Sequence, residues 1–160
     1  MKLMEIVQNR EIILVCGNLC SGKGHFCETK YPDYYRIGVS DIVRGLSMAQ
    51  DRNELSKTAH LDTQIVEALS DEIRKHDKVI VDGIRQPTIL YALRNRFAGD
   101  IKDIIWLDVP EDTLRQRYAA RASAKDKATT FDQAVQGDKN LGLGDVENYI
   151  RANGKVIPYS

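Results

Sequence analysis

Ile12-Ile13-Leu14-Val15-Cys16 is an unbroken apolar run, and the turn that closes it, Gly17-Asn18-Leu19-Cys20-Ser21-Gly22-Lys23, has the form G-x4-G-K. A strand apolar at every position must be covered on both faces, which predicts a buried strand of a parallel sheet. Residues 22 to 30 then read as a helix. That strand–loop–helix context raises the loop pattern above chance. Its glycines let backbone N–H groups converge on an anion. The helix N-terminus adds the positive end of its dipole, and Lys23 adds a cation. The plainer alternative is a tight turn with an exposed lysine.

The rest of the chain repeats the alternation. Residues 35–39, 78–83 and 104–109 read as strands. Leu55, Ala59, Val66, Leu69 and Ile73 fall at helical spacing within 54–75. Ser40 or Asp41 suits the cap of a helix after the second strand. Pro87 suits the first turn of a helix with Leu90, Leu93 and Phe97 on one face. Pro110 opens another helix, through about Ser123. Residues 123–145 read as a polar stretch with a mobile segment. Tyr149–Ala152 reads as a last strand before a turn at Asn153-Gly154. The 160 residues suit one domain. The pattern predicts an α/β fold of three layers with a central, mostly parallel sheet. Ligands in such folds lie at the carboxyl ends of the strands.

Lys and Arg number 23 and so do Asp and Glu, so the net charge argues against indiscriminate nucleic-acid binding. No apolar run is long enough to span a bilayer, and no secretory pattern opens the chain. The three cysteines, Cys16, Cys20 and Cys27, read as free thiols of a reducing compartment. The expectation is a cytoplasmic protein, or one of the host cytoplasm if viral, with no membrane partner. Cys16 and Cys20 form one pair at zinc-ligand spacing, but no second pair accompanies them.

Over roughly residues 11–154 the motifs resemble the nucleoside monophosphate kinases and their P-loop relatives. Gly22-Lys23-Gly24-His25 is similar to that family's G-K-G-T, with His25 where threonine is usual. Ser40-Asp41-Ile42-Val43-Arg44 resembles its acceptor-binding T-G-D-x-x-R. Val79-Ile80-Val81-Asp82-Gly83-Ile84-Arg85 resembles a Walker B strand, in a form closer to dephospho-CoA-kinase-like and deoxynucleotide-kinase-like relatives than to adenylate kinase. Arg117 and Arg121 match the arginines that lie against the donor adenine and on the transferring phosphate, whereas Arg115 reads as solvated helix face.

The resemblance implies a P-loop NTPase fold, one domain over 1–160, with a short lid at about 122–140 that includes Lys125 and Lys127. ATP would be held by Gly17, Asn18, Leu19, Cys20, Ser21, Gly22, Lys23, Gly24 and His25, with Arg117, Asn153 and Gly154. Magnesium would be oriented through water by Asp82. Ser40, Asp41, Arg44, Gly83 and Arg85 would take the acceptor. Lys23, Asp41, Arg117 and Arg121 would carry catalysis.

Three functions fit these residues. The first is transfer of the γ-phosphate of ATP to a (deoxy)nucleoside monophosphate. The second is phosphorylation of a hydroxyl on a modified base, of the 5-hydroxymethyluracil type, within phage DNA, for which Asp41 would be the base. The third is a non-catalytic ATP-binding switch. Oligomeric state is left open by the sequence.

Overall fold

The computed structural model describes residues 10–47, 62–122 and 129–159. Strand β1 (Glu11–Gly17) leads through the glycine loop into helix α1 (Lys23–Lys30). Then come β2 (Tyr35–Gly38), α2 (Val39–Ser47), α3 (Asp62–Ile73), β3 (Lys78–Asp82) and α4 (Pro87–Arg96). The chain continues with β4 (Ile101–Asp108), α5 (Glu111–Ala122), α6 (Phe131–Leu141), α7 (Leu143–Asn153) and β5 (Lys155–Pro158). The expectations at Leu55, Ala59, Ser123, Lys125 and Lys127 lie outside the described residues.

The five strands form one sheet in the order β2-β3-β1-β4-β5, every neighbouring pair parallel. The α/β layering follows from the side chains. On one sheet face Ile12, Leu14, Cys16, Val79, Val81 and Trp106 bury against apolar residues of α3, α4 and α7. On the other, Ile13, Val15, Ile80, Ile105 and Leu107 meet Cys27 of α1. Because side chains alternate along a strand, an all-apolar strand serves both cores at once.

Register brings the strand ends into line. Asp82 stands beside Val15 of β1 and Gly38 of β2. Gly17 stands beside Leu107, and Asp108 beside Pro158. The carboxyl ends of all five strands therefore open onto one edge.

Three expectations are corrected or sharpened. Within the stretch expected to be polar with a mobile segment, residues 131–141 form a helix. Thr130 and Gln133 close a capping box at its start, with the Thr130 side chain accepting from the Gln133 N–H and the Gln133 side chain from the Thr130 N–H. Tyr149–Ala152 is not a strand but the last part of α7, whose Leu143, Val146 and Ile150 are buried at spacings of three and four. The final strand starts two residues later, at Lys155. Gly154 permits that sharp change, since a Cβ there would stand 2.4 Å from the Ile104 carbonyl oxygen. Helix α2 also begins at Val39, so Ser40 and Asp41 both lie in its first turn rather than at its cap.

Candidate active site

A cavity of about 1230 Å³ occupies the edge where the strands end. The loop after β1 is its floor. Gly22, immediately before α1, has φ 89°, and Cys20 has φ 66°. The left-handed region is cheap for glycine but costs an L-residue roughly 1–2 kcal/mol. Cys20 thus stores strain in the loop, as functional sites often do. Lys23 folds back over the loop, its Nζ donating to the carbonyls of Asn18 at 3.2 Å and Gly17 at 3.4 Å.

Helix α5 is tied to this loop. Arg117 Nη1 donates to the Cys20 carbonyl at 3.0 Å. The same guanidinium lies 5.5 Å from the centre of the Tyr159 ring. Arg121, one turn on, lies 5.8 Å from the Tyr118 ring, and both arginines line the cavity. Leu19 is buried beneath, against Tyr118 and Ala134.

Asp82 ends β3 beside the loop, nearly buried. Arg36 of β2 reaches it with Nη2 at 2.6 Å and Nε at 2.8 Å, both on Oδ2. Burial works against the Arg36 charge, but the bond and charge of Asp82 outweigh it and hold the guanidinium above its usual range. Arg85 also lines the cavity, and its Nη1 donates to the buried Asp138 of α6 at 2.8 Å. Asp41 lines the cavity and pairs with Arg44 at 2.9 Å on the exposed face of α2.

Of the residues singled out from sequence, Gly17, Cys20, Ser21, Gly22, Lys23, Gly24, His25, Ser40, Asp41, Asp82, Gly83, Arg85, Arg117 and Arg121 share this one cavity. Asn18, Leu19, Arg44, Asn153 and Gly154 are not among its lining residues. Asn18 contributes a backbone carbonyl to Lys23. Asn153 ends α7, its amide donating to the Tyr149 carbonyl. The wall expected from 153–154 is instead formed by Ile157, Pro158 and Tyr159, together with Leu107 and Val109. Cys16 and Cys27 are buried, and desolvation pushes both thiols up to about 12.

Sequence reading missed Arg36 and Tyr159. Both flank weak signals. Arg36 lies in a four-residue edge strand, and Tyr159 follows a strand that was assigned too early. The signal for Arg36 was present, since it precedes the Gly38 end of a strand in a fold whose ligands sit at strand ends.

The donor set fits a magnesium ion brought in with nucleotide phosphates. Magnesium is usually held by one or two carboxylates plus phosphate and water. Here Asp82 presents one carboxylate to the cavity, and Oδ1 accepts no bond from the described residues.

The fold is shared with two solved kinases. A shikimate kinase from Acinetobacter baumannii, solved with shikimate, superposes with a TM-score of 0.62 at 14% identity, over 98% of this chain and 87% of that one. A gluconokinase from Sinorhizobium meliloti 1021 does so with a TM-score of 0.59 at 15% identity, over 94% and 82%. A family model described as AAA domain matches residues 13–138, and the chain belongs to that family. No curated protein matches the chain.

Proposed function

We propose that the protein is an ATP- and magnesium-dependent phosphotransferase acting on a nucleotide acceptor. The observation that carries this reading is the convergence of Lys23, Asp82, Arg117 and Arg121 on one cavity around a glycine loop at a helix N-terminus. In the reaction, the bond between the γ-phosphorus and the β–γ bridging oxygen breaks. A bond from the acceptor oxygen to that phosphorus forms, and ADP leaves. Loop N–H groups and Lys23 bind the phosphates. Arg117 and Arg121 neutralise the charge that spreads over the transferring group, a role worth about 10³–10⁵ in rate for a placed arginine. Bound magnesium would supply further charge neutralisation beside Asp82. Segment 122–140 would close over the site and exclude water.

A (deoxy)nucleoside monophosphate is the first acceptor, since Arg85 lines the cavity and a guanidinium fork suits a phosphate. One observation favours a second reading, the hydroxyl of a modified base in DNA. Each arginine on the acceptor side carries a carboxylate already: Arg36 with Asp82, Arg44 with Asp41, Arg85 with Asp138. Such pairing leaves less charge for a dianion. It suits a neutral hydroxyl, whose proton Asp41 would accept. The names of the gluconokinase and the shikimate kinase point to hydroxylated acids as their acceptors, which adds support to hydroxyl transfer on this fold.

Incubation with γ-labelled ATP and magnesium separates the readings. Deoxynucleoside monophosphates are offered in one reaction and hydroxymethylated DNA in another. Label in free diphosphates selects the first acceptor, and label retained on DNA the second. ATP binding without transfer to either would overturn the phosphotransferase reading in favour of a switch.

A further inference from the structure

Asp82 receives both of its contacts from Arg36 on a single oxygen, Oδ2. Oδ1 takes no bond from the described residues, and the side chain borders the cavity. Arg36 reaches this point across the first turn of α1. A Cβ at position 24 would stand 3.3 Å from its Nη2, so the absence of a side chain at Gly24 makes room for the guanidinium. A serine or threonine there, common after the lysine of such loops, would crowd it. Across the carboxylate is the loop cation: the Cε of Lys23 is 3.8 Å from where a Cβ of Gly83 would be.

We propose that Arg36 is a positioning residue for Asp82. It occupies Oδ2, keeps the carboxylate from turning onto Lys23, and leaves Oδ1 facing the water shell of nucleotide-bound magnesium. This rests on the reading of the cavity as a magnesium–ATP site. Partners that orient a metal's carboxylate typically change metal affinity or activity by about 10–100-fold when removed. Nothing in the nucleoside monophosphate kinase resemblance pointed to Arg36. It is a property of this chain's own β2 and of the glycine opposite it.

A double-mutant cycle tests it, with Arg36→Ala, Asp82→Ala and the pair. The readout is the factor by which Mn²⁺ tightens binding of a fluorescent ATP analogue relative to EDTA, beside the rate of transfer. Arg36→Ala is expected to cut that factor about tenfold, with metal-free affinity unchanged. The double variant should be no worse than Asp82→Ala alone. Effects that multiply, or an Arg36→Ala protein with the wild-type metal factor, would overturn the proposal. If Arg36→Ala fails to fold by thermal melt, Arg36→Lys carries the test. It keeps the charge but not the two-point contact and should lose part of the factor, and a wild-type value would count against the proposal. Wild-type protein that binds no ATP analogue at all would overturn the underlying reading, and this inference with it. Binding with an additive cycle overturns this inference alone.

Discussion

Arg85, three residues past the end of β3, is joined to Asp138 of α6 by a 2.8 Å ion pair whose side chains are only 9% and 3% exposed. It couples the loop behind the candidate acceptor site to the helix that follows α5. Removing one partner of a buried pair leaves a charge without its counter-ion and costs about 3–5 kcal/mol. Asp138→Ala should therefore lower the melting temperature by roughly 10 °C. Because the two residues act together, adding Arg85→Ala should cost much less than its effect alone. Thermal melts of the three variants check this, and strictly additive losses would contradict it.

The three thiols should separate by reactivity. Burial pushes Cys16 and Cys27 up to about 12, so neither forms thiolate readily near neutral pH. Cys20 lies half-buried on the wall of the cavity. Iodoacetamide at pH 8, followed by peptide mass spectrometry, should label Cys20 first and the other two only after unfolding. Saturating ATP should slow the labelling of Cys20. Equal rates with and without ATP would place the nucleotide elsewhere.

Tyr159 offers an aromatic face at the wall where β4 and β5 end, with Arg117 held beside it. Stacking of a base on an aromatic ring is worth about 1–3 kcal/mol. Tyr159→Ala is expected to weaken ATP binding about tenfold and leave inorganic tripolyphosphate, which has no base, unaffected. Tyr159→Phe should bind like wild type. Calorimetric titration of both ligands tests this, and parallel losses for ATP and tripolyphosphate would argue against a base contact.

The Tyr34 hydroxyl donates to Glu11 Oε1. That bond, opposed by desolvation and helped by Lys102 and Lys78, holds the Glu11 carboxyl below its ordinary 4.5. Burial first, and then the Glu11 bond, push Tyr34 up to about 12 from its ordinary 10. A lowered acid stabilises above its unfolded value and loses that contribution as pH falls. A raised phenol stabilises below its unfolded value and loses it as pH rises through its folded one. The stability gap between wild type and Tyr34→Phe should therefore be flat near neutrality. It should shrink below pH 4.5 and between pH 10 and 12. Urea unfolding at a series of pH values checks this, and a gap independent of pH would refute it.

The first half of the fold was legible because its signals are local. Ile12–Cys16 is apolar throughout, and a glycine loop follows it. Val79–Val81 repeats the pattern and ends in Asp82. Lys23, Asp82, Arg117 and Arg121 meet at one cavity for a related reason, since topology puts strand ends together. Residues 143–158 misled because Tyr149-Ile150 looks β-like over a short window. Only the longer spacing of Leu143, Val146 and Ile150 reveals the helix. Pairings such as Arg36 with Asp82 and Arg85 with Asp138, 46 and 53 residues apart, are set by tertiary packing and leave no pattern in the chain. Gly154 shows how a small residue is open to two readings. The family resemblance implies a nucleotide contact for it, and in the fold it packs against the β4 backbone.

The most direct test of the central claim compares wild type with Lys23→Ala for binding of a fluorescent ATP analogue and transfer of its γ-phosphate, with thermal melts run alongside. The wild-type protein should bind ATP with magnesium and transfer label. Lys23→Ala should melt at nearly the same temperature, because Lys23 is a part-buried loop residue whose Nζ donates to the carbonyls of Asn18 and Gly17 at 3.2 and 3.4 Å, and such bonds to neutral carbonyls contribute about 1 kcal/mol each. It should lose at least about a hundredfold in transfer, as expected when charge on the moving phosphoryl group goes unneutralised. A folded Lys23→Ala protein with normal transfer would show that the loop does not hold the donor phosphates.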